Sequence, residues 1–399
     1  MVGANAARGW AEMDLTIAPQ HATRRTAPAG AAGRNGAIDA LRAVVTLLVV
    51  FHHTAITYGA IGGWYYKELP PSATLGSRLL VLFCTVNQAW FMGLFFFLAG
   101  YYTPPAWVRH GTAGFIRERL ARLGLPIVAY VLLLSPLTIA LAATARGRPF
   151  IRVFGYLWRH GIFEPGPLWF TEGLLIFSAV WLLLQSFNRT APARPHPFPS
   201  NVTLLVSALL TGIAAFVLRL MWPVGVNIAF LQLGYFASYA MLFGAGCVAA
   251  GGRWLDNIPM KQAIRWRRIA WMTLPLFPII SLLGSRIGWL GGRDGGGWNF
   301  QALAYALWEP FVAWGFILGL LVWFQRRFAS LRGIWPSLAR RAYLIYIIHP
   351  PILVTTALVW REITAPALLK FFITGSIACL LCYLVAGLLL RVPGFARIV

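Results

Sequence analysis

Apolar runs of about twenty residues recur along nearly the whole chain, and no other feature limits its fold more strongly. A helix of that length crosses a hydrocarbon core of roughly 30 Å. Composition agrees, because 59% of the residues are hydrophobic and only 11% are charged, far from the balance of a soluble domain. We therefore predict an all-α fold, a polytopic transmembrane helical bundle that forms one membrane domain.

The first 36 residues differ from the rest of the chain. They are rich in Ala, Gly and Arg and contain no apolar segment of the kind found in a signal peptide. Residues 1–36 are therefore predicted to be a disordered cytoplasmic tail, and residues 37–399 a transmembrane domain. About ten spans are predicted in that domain, roughly at residues 38–59, 79–102, 124–144, 168–188, 201–221, 229–250, 267–287, 302–324, 342–360 and 367–390.

The chain carries 34 Lys and Arg residues against 11 acidic residues, a net charge of +23. In a soluble protein this balance would suggest a nucleic-acid partner, but in a membrane protein cations collect in cytoplasmic loops and meet anionic lipid head groups. With the N-terminus inside, the cytoplasmic loops hold the denser set of cations, although the loop at 145–167 is more basic than this bias favours. We predict a multi-pass protein of the cell (inner) membrane that has both termini in the cytoplasm and binds membrane lipid but no nucleic acid.

The first predicted span has one polar face. Its residues are apolar except for a few, and on a helix that turns about 100° per residue five of these fall within about a 60° stripe. Ionisable groups are costly in lipid, so the stripe is predicted to face the bundle interior or an aqueous cavity. The five residues are Asp39, Arg42, Thr46, His53 and Thr57.

Arg42 and His53 lie on this face about 16 Å apart along the helix axis. A cation near the cytoplasm suits a phosphorylated or carboxylated donor, and an imidazole deeper in the membrane suits removal of a proton from an acceptor hydroxyl. The structural alternative is that Arg42 extends to the inner interface and His53 hydrogen-bonds a neighbouring carbonyl. The sequence leaves both interpretations open, and it also allows Arg42 to pair with Asp39.

Five motifs along the chain resemble, in order, those of the membrane acyltransferase 3 family. The opening motif is Asp-x-x-Arg followed after ten residues by His, and it selects His53 rather than His52. Ala99 departs from the family pattern, because it replaces the usual Ser of the second motif. The motifs run from Asp39 to His53, Phe95 to Tyr102, Arg119 to Pro126, Gly166 to Phe170 and Tyr343 to Pro351, so the resemblance spans about residues 38–390.

This resemblance implies a membrane O-acyltransferase, an enzyme that transfers acyl groups other than aminoacyl groups. Family members use a cytoplasmic acyl-CoA as co-substrate, commonly acetyl-CoA or succinyl-CoA, and modify hydroxyls of glycans, lipids or other acceptors across the membrane. The arrangement is especially similar to the branch containing the succinyltransferase of osmoregulated periplasmic glucans. His53 is then the catalytic base or the acyl carrier, and Arg42 and Asp39 complete the predicted catalytic set.

Further candidates for substrate binding lie on later spans. Arg119 and Arg122 are three positions apart and share a helix face at the inner membrane surface, where their guanidinium groups suit CoA phosphates; ordinary positive-inside charge is the alternative. His349 lies mid-span ahead of Pro350 and Pro351, which we expect to kink or interrupt the helix. Its role is either in the pocket or in capping the freed carbonyls.

Three more candidates lie toward the outer side. Glu172 and Glu309 are intramembrane carboxylates, each suited to orient an imidazole or to hydrogen-bond an acceptor hydroxyl. Trp169 and Trp64 belong to a set of aromatics that suit stacking on sugar rings and equally suit an interfacial belt. No Walker A, HExxH, GxSxG or clustered Cys/His pattern appears in the sequence, so no metal site is predicted.

A secondary transporter or flippase is the main alternative function. Polar groups inside a ten-span bundle with a proline-broken helix are also typical of the substrate pathway of a transporter. Such proteins often show internal symmetry, and the two halves contain no matched pair of broken helices, which favours the enzyme. The sequence leaves open the acyl group, the acceptor, the oligomeric state and the choice between direct transfer and a covalent acyl-histidine.

Overall fold

The computed structural model describes residues 35–187, 196–280, 295–328 and 330–393. Over these residues the chain forms helices, turns and isolated β-bridges, without a strand. The prediction of an all-α polytopic bundle is confirmed. The predicted tail lies outside the described residues except for its last two, and so does the later part of the predicted span at 267–287.

The helices run nearly end to end along the described chain, and we number them in chain order. Two π-helical segments, Leu120–Gly124 and Tyr130–Leu134, join the second helix to the third and the third to the fourth. The helices are α1 Gly36–Thr57, α2 Leu75–Arg119, α3 Leu125–Ala129, α4 Ser135–Thr144, α5 Phe150–Arg159, α6 Trp169–Phe187, α7 Asn201–Met221, α8 Phe236–Gly252, α9 Met260–Thr273, α10 Phe300–Arg327, α11 Trp335–Val359 and α12 Ala367–Leu389.

The chain reverses direction at Gly111. This residue has φ 64° and ψ 177°, which are not helical angles, within the stretch assigned to α2. Arg119 Nη2 donates to Thr103 Oγ1 at 3.1 Å, whereas residues sixteen positions apart in a continuous helix are about 24 Å apart. Eight stretches of the described chain are long and apolar enough to cross a membrane. One of the eight, Leu75–Thr144, contains the reversal at Gly111 and therefore supplies two antiparallel passes.

The helix ends lie on two faces of the bundle. We call the face where α1 begins the N-terminal face. Hydrogen bonds join its segments, as when Trp254 Nε1 donates to the His196 carbonyl at 2.8 Å. The segments that connect helices at the opposite face include residues 58–74, 145–168 with the short helix α5, 222–235, 295–299 and 360–366. That the N-terminal face is cytoplasmic remains a prediction.

α2 and α8 pack closely through glycine. A Cβ on Gly100 would lie 2.1 Å from the Phe243 carbonyl oxygen, and a Cβ on Gly246 would lie 2.1 Å from that of Phe97. Real Cβ contacts are never this short, so only glycine lets the two backbones approach so closely. Gly100, which belongs to the second sequence motif, therefore sets how these two helices cross.

α11 passes through Pro350 and Pro351 without a break. Of the two expected outcomes, a kink or an interruption, the interruption is wrong, because Trp335–Val359 is one helix. It packs along α1, and both helices run from the N-terminal face to the opposite face. A helix tolerates an internal proline when another donor satisfies the carbonyl that the proline leaves without a partner.

Candidate active site

Two histidine side chains meet where α1 and α11 pack together. His53 Nδ1 lies 3.0 Å from His349 Nε2, and the two rings are nearly parallel with centroids 5.1 Å apart. His349 is fully buried, while His53 keeps some exposure. The fold thus brings together two candidate residues from opposite ends of the sequence, and we call them the histidine pair.

A proline provides the other partner of His349. Pro350 has no N–H, so the carbonyl of Tyr346, four residues earlier, lacks the helix bond that it would otherwise accept. His349 Nδ1 lies 2.7 Å from this carbonyl oxygen and replaces the missing donor. The sequence allowed two roles for His349, one in the pocket and one in capping a freed carbonyl. In the structure His349 caps the Tyr346 carbonyl and also contacts His53.

These contacts determine the tautomers of the two neutral rings. A carbonyl oxygen only accepts hydrogen bonds, so His349 donates from Nδ1 and accepts at Nε2. His53 then donates from Nδ1, which leaves its lone pair on Nε2. The histidine pair therefore presents one basic nitrogen, and this nitrogen belongs to the ring that is partly exposed.

The indole of Trp64 covers the histidine pair. It stacks on His53 with ring centroids 4.1 Å apart and planes 14° apart, and its centroid is 5.8 Å from that of His349. An aromatic face against an imidazole favours the protonated imidazolium through the cation–π interaction. The Trp64 Nε1–H is buried without a hydrogen-bond partner in the described part of the chain.

Polar contacts hold the loop 58–74 that carries this indole. The Tyr65 hydroxyl hydrogen-bonds the Tyr130 hydroxyl at 3.0 Å, and burial raises the pKa of the Tyr65 phenol to about 12. Glu68 forms an ion pair with Lys370, whose side chain is only 3% exposed. Burial raises the pKa of the Glu68 carboxyl, and the Lys370 ammonium opposes this shift. These two contacts fix the loop that carries Trp64 over the histidine pair.

Asp39 and Arg42 lie on α1 toward the N-terminal face. Arg42 Nη1 is 3.6 Å from Asp39 Oδ1, the pairing that the sequence allowed, and the Arg42 side chain is 46% exposed. Thr46 and Thr57 donate to carbonyls of their own helix at 2.9 and 3.1 Å, so these hydroxyl protons are used internally. The polar face therefore has an exposed cation near one end and the basic nitrogen near the other.

Arg119 and Arg122 differ in how they are held. Arg119 donates to Thr103, and its guanidinium carbon lies 4.9 Å from the centroid of the Phe115 ring. Arg122 has a side chain that is 62% exposed, and its Nε lies 3.5 Å from Glu118 Oε1. No contact joins either arginine to the histidine pair, so a role for both in CoA binding stays a prediction.

Glu309 forms a buried ion pair with Arg219. Arg219 Nε also donates to the Gly234 carbonyl at 3.0 Å, and the guanidinium lies over the rings of Tyr235 and Tyr305. Breaking such a pair by removing one partner costs roughly 3–5 kcal/mol. Glu309 orients an arginine and contacts neither imidazole, so a structural role accounts for its position and its substrate-binding role stays a prediction.

Glu172 and Trp169 lie at the start of α6. The Trp169 ring stacks on Tyr239 with centroids 5.7 Å apart. Glu172 is half-buried and makes no hydrogen bond or ion pair within the described ranges. Their predicted contacts with substrate remain untested. In the part of the chain that the structure describes, no group of three or more His, Cys, Asp or Glu side chains is suited to hold a metal ion.

The last motif, Tyr343 to Pro351, contacts three of the other four motifs. The Tyr343 hydroxyl donates to the Arg122 carbonyl at 2.7 Å, which connects it to the third motif. The Tyr346 hydroxyl donates to the Pro167 carbonyl and so connects it to the fourth. His349 connects it to the first motif through His53. Motifs that are far apart in the sequence thus form one connected site.

The family model of acyltransferase 3, described as an acyltransferase domain, matches residues 35–387. The chain belongs to the acyltransferase 3 family. The resemblance based on the five motifs is thereby confirmed at the level of the family, and this acyltransferase 3 protein is a membrane acyltransferase. Neither the curated proteins nor the solved structures contain a match to it.

Sequence reasoning missed three features of the site. The Tyr346 carbonyl was not identified, although a proline four residues after Tyr346 is the signal that would have found it. Trp64 was placed only among the outer aromatics, since nothing in the sequence shows that it stacks on His53. Arg219 was overlooked as the partner of Glu309, although it is a lone cation within an apolar span and so required a counter-charge.

Proposed function

We propose that this enzyme transfers an acyl group from acyl-CoA to a hydroxyl of an extracytoplasmic glycan or lipid-linked acceptor, with His53 as the catalytic base. The chain of contacts from the Tyr346 carbonyl through His349 to His53 carries the proposal. These contacts use both nitrogens of His349 and Nδ1 of His53. The one nitrogen whose lone pair they leave free is His53 Nε2, in a ring that is partly exposed. A base held in one tautomer by an oriented partner is a recurring arrangement for activating a hydroxyl.

The proposed reaction is direct acyl transfer. His53 Nε2 takes the proton of the acceptor hydroxyl while the hydroxyl oxygen bonds to the thioester carbonyl carbon, whose π electrons move to oxygen. When the carbonyl re-forms, the C–S bond breaks and the CoA thiolate takes the proton from His53. The products are an ester and the free CoA thiol, and His53 returns to its neutral tautomer.

Two neighbours favour the imidazolium that forms on His53 during this reaction. His349 accepts from His53 Nδ1–H, and this hydrogen bond becomes charge-assisted once the ring is protonated. The Trp64 ring faces His53 at a centroid distance of 4.1 Å and attracts the cation. No carboxylate among the described residues hydrogen-bonds the histidine pair, so a neutral imidazole takes the place that a carboxylate holds in the Ser-His-Asp triad.

The donor is proposed to bind at the N-terminal face. Arg122 presents an exposed guanidinium group there, which suits the phosphates of CoA, and Arg119 lies one turn away. Arg42, oriented by Asp39, lies between this face and His53, about 16 Å from His53 along the axis of α1. If this face is cytoplasmic, as the charge bias predicts, the flexible arm of the donor has to span that distance to bring the thioester to His53.

The acceptor is proposed to approach from the opposite face. Trp169, at the start of α6, offers an aromatic surface for a sugar ring, and Glu172 offers a carboxylate with no other partner among the described residues. The transferred group is proposed to be acetyl or succinyl. The order and residues of the motifs support placement near the succinyltransferase of osmoregulated periplasmic glucans.

The test of this function is transfer of label from acyl-CoA. Membranes with and without the protein receive radiolabelled acetyl-CoA or succinyl-CoA, and surface glycans are analysed for label and by mass spectrometry. We expect ester-linked acyl groups on the acceptor only when the protein is present, because only an acyltransferase forms that bond. Movement of a substrate across the membrane without any new ester would instead support a transporter and contradict the proposal.

Replacing Pro350 with alanine tests the chain of contacts without altering either ring. The new N–H competes for the Tyr346 carbonyl and so weakens the bond that fixes the tautomer of His349. We expect kcat in the transfer assay to fall about tenfold with little change in the KM for acyl-CoA. The matched control is Pro351→Ala, which restores an N–H opposite Ile347 and leaves the Tyr346 carbonyl unaffected. Equal effects of the two substitutions would contradict this role of Pro350.

A further inference from the structure

A groove of about 270 Å³ lies between α9 and α10 toward the N-terminal face. One wall is a face of α9 that includes Ile264 and Arg267. The other wall is a face of α10 that includes Trp323 and ends in Arg326 and Arg327. None of these residues belongs to the five motifs or to the histidine pair, so the proposed function does not account for the groove.

The three arginines of the groove have no counter-charge among the residues that the structure describes. Arg267, Arg326 and Arg327 are all exposed. Among the described residues they form no ion pair, and no carboxylate lines the groove. Three guanidinium groups around one concave surface repel one another and bind an anion favourably. The groove therefore has the charge of a phosphate site.

The shape of the groove depends on a glycine. A Cβ on Gly319 would lie 3.2–3.3 Å from Cβ, Cγ and Cδ of Arg267. The aliphatic stem of Arg267 thus lies directly against the backbone of α10. This contact holds the Arg267 side chain within the groove and leaves fewer conformations to lose when an anion binds.

The position of the groove along the helices indicates a lipid rather than a soluble anion. α10 is one of the helices long and apolar enough to cross a membrane, and Arg326 and Arg327 are its last two residues. Trp323, half-exposed, lies one turn earlier, as is typical of a side chain at a membrane interface. Farther along α9, Trp271 and Met272 expose apolar surface alongside which an acyl chain would pack.

We propose that this groove binds the phosphodiester head group of an anionic phospholipid from the leaflet at the N-terminal face. Arg267, Arg326 and Arg327 contact the phosphate, Trp323 lies at the glycerol level, and the acyl chains follow the apolar surface of α9. Basic pockets between membrane helices bind such head groups through these interactions. The lipid site takes no part in the acyl-transfer reaction, so this proposal does not depend on the proposed function.

The test measures phospholipid binding to the purified full-length protein by native mass spectrometry in detergent. Phosphatidylglycerol is the anionic probe, and phosphatidylcholine is the zwitterionic comparison. We expect a saturable phosphatidylglycerol site that is weakened at least about tenfold when Arg267, Arg326 and Arg327 are all replaced by glutamine, because each arginine contributes to binding of the phosphate. Replacing the same three residues by lysine keeps the charge, and it should keep affinity within about threefold.

The matched control variant removes three charges from the same face outside the groove. It should bind phosphatidylglycerol within about twofold of the unaltered protein, and both glutamine variants should keep the helical circular dichroism of that protein. If the control variant weakened phosphatidylglycerol binding equally, the lipid would be attracted by the overall charge of this face rather than by the groove, and the proposal would be overturned. Equal binding of phosphatidylcholine, or displacement of the lipid by inorganic phosphate or CoA, would overturn it too, because the site would then not be one for anionic lipid. The control substitutions are Arg265→Gln, Arg268→Gln and Arg332→Gln.

Discussion

Replacing His53 with alanine is expected to lower acyl transfer at least about 100-fold, which is the scale of a missing general base. The substitution removes the only nitrogen of the histidine pair that the contacts leave with a lone pair. The protein should still reach the membrane in normal amount, because His53 is partly exposed and forms no ion pair. The measurement is the rate of label transfer from acyl-CoA at a matched protein level.

His52→Ala is the matched control for this substitution. His52 is the adjacent imidazole on the same helix, but it packs against Phe91 with ring centroids 4.9 Å apart and its Nδ1 has no hydrogen-bond partner among the described residues. We expect its replacement to reduce transfer less than about threefold. Unchanged activity in His53→Ala would remove His53 from the mechanism. Acyl groups trapped on His53 in the unaltered protein would favour the covalent route over direct transfer.

Replacing His349 with leucine is also expected to lower kcat about 100-fold. Leucine cannot accept from His53 Nδ1–H, so the tautomer with the lone pair on Nε2 loses the contact with His349 that favours it. Leucine also leaves the buried Tyr346 carbonyl without a donor, which costs about 1–3 kcal/mol of stability. The KM for acyl-CoA should change little, since His349 contacts His53 rather than the arginines of the proposed donor site.

Glutamine at position 349 distinguishes a positioning role from proton transfer. Its side-chain amide can donate to the Tyr346 carbonyl and accept from His53 Nδ1–H, but it does not titrate. His349→Gln is therefore expected to keep kcat within about tenfold of the unaltered protein, while His349→Leu does not. If the two variants lose activity equally, His349 acts as more than a neutral hydrogen-bond partner, and the assigned tautomers are wrong.

The membrane bundle and the polar face of α1 could be predicted from local sequence. Runs of apolar residues define spans because their length alone matches the bilayer, and the positions of Asp39, Arg42 and His53 on one helix follow from helical periodicity. Local sequence could not decide whether α11 is interrupted at Pro350. Proline removes a backbone donor, but whether the helix breaks depends on whether a side chain replaces that donor, and His349 does so.

The sequence by itself determined the fold class and the family, and it singled out His53 as the candidate base, because each inference depends on residue type and spacing along the chain. Only the tertiary structure decided which groups lie in contact. The contact between His53 and His349, the cover provided by Trp64 and the pairing of Glu309 with Arg219 join separate helices or loops, and packing between elements sets such contacts. Those contacts also determine which nitrogen of each imidazole carries the proton, because the Tyr346 carbonyl can only accept a hydrogen bond.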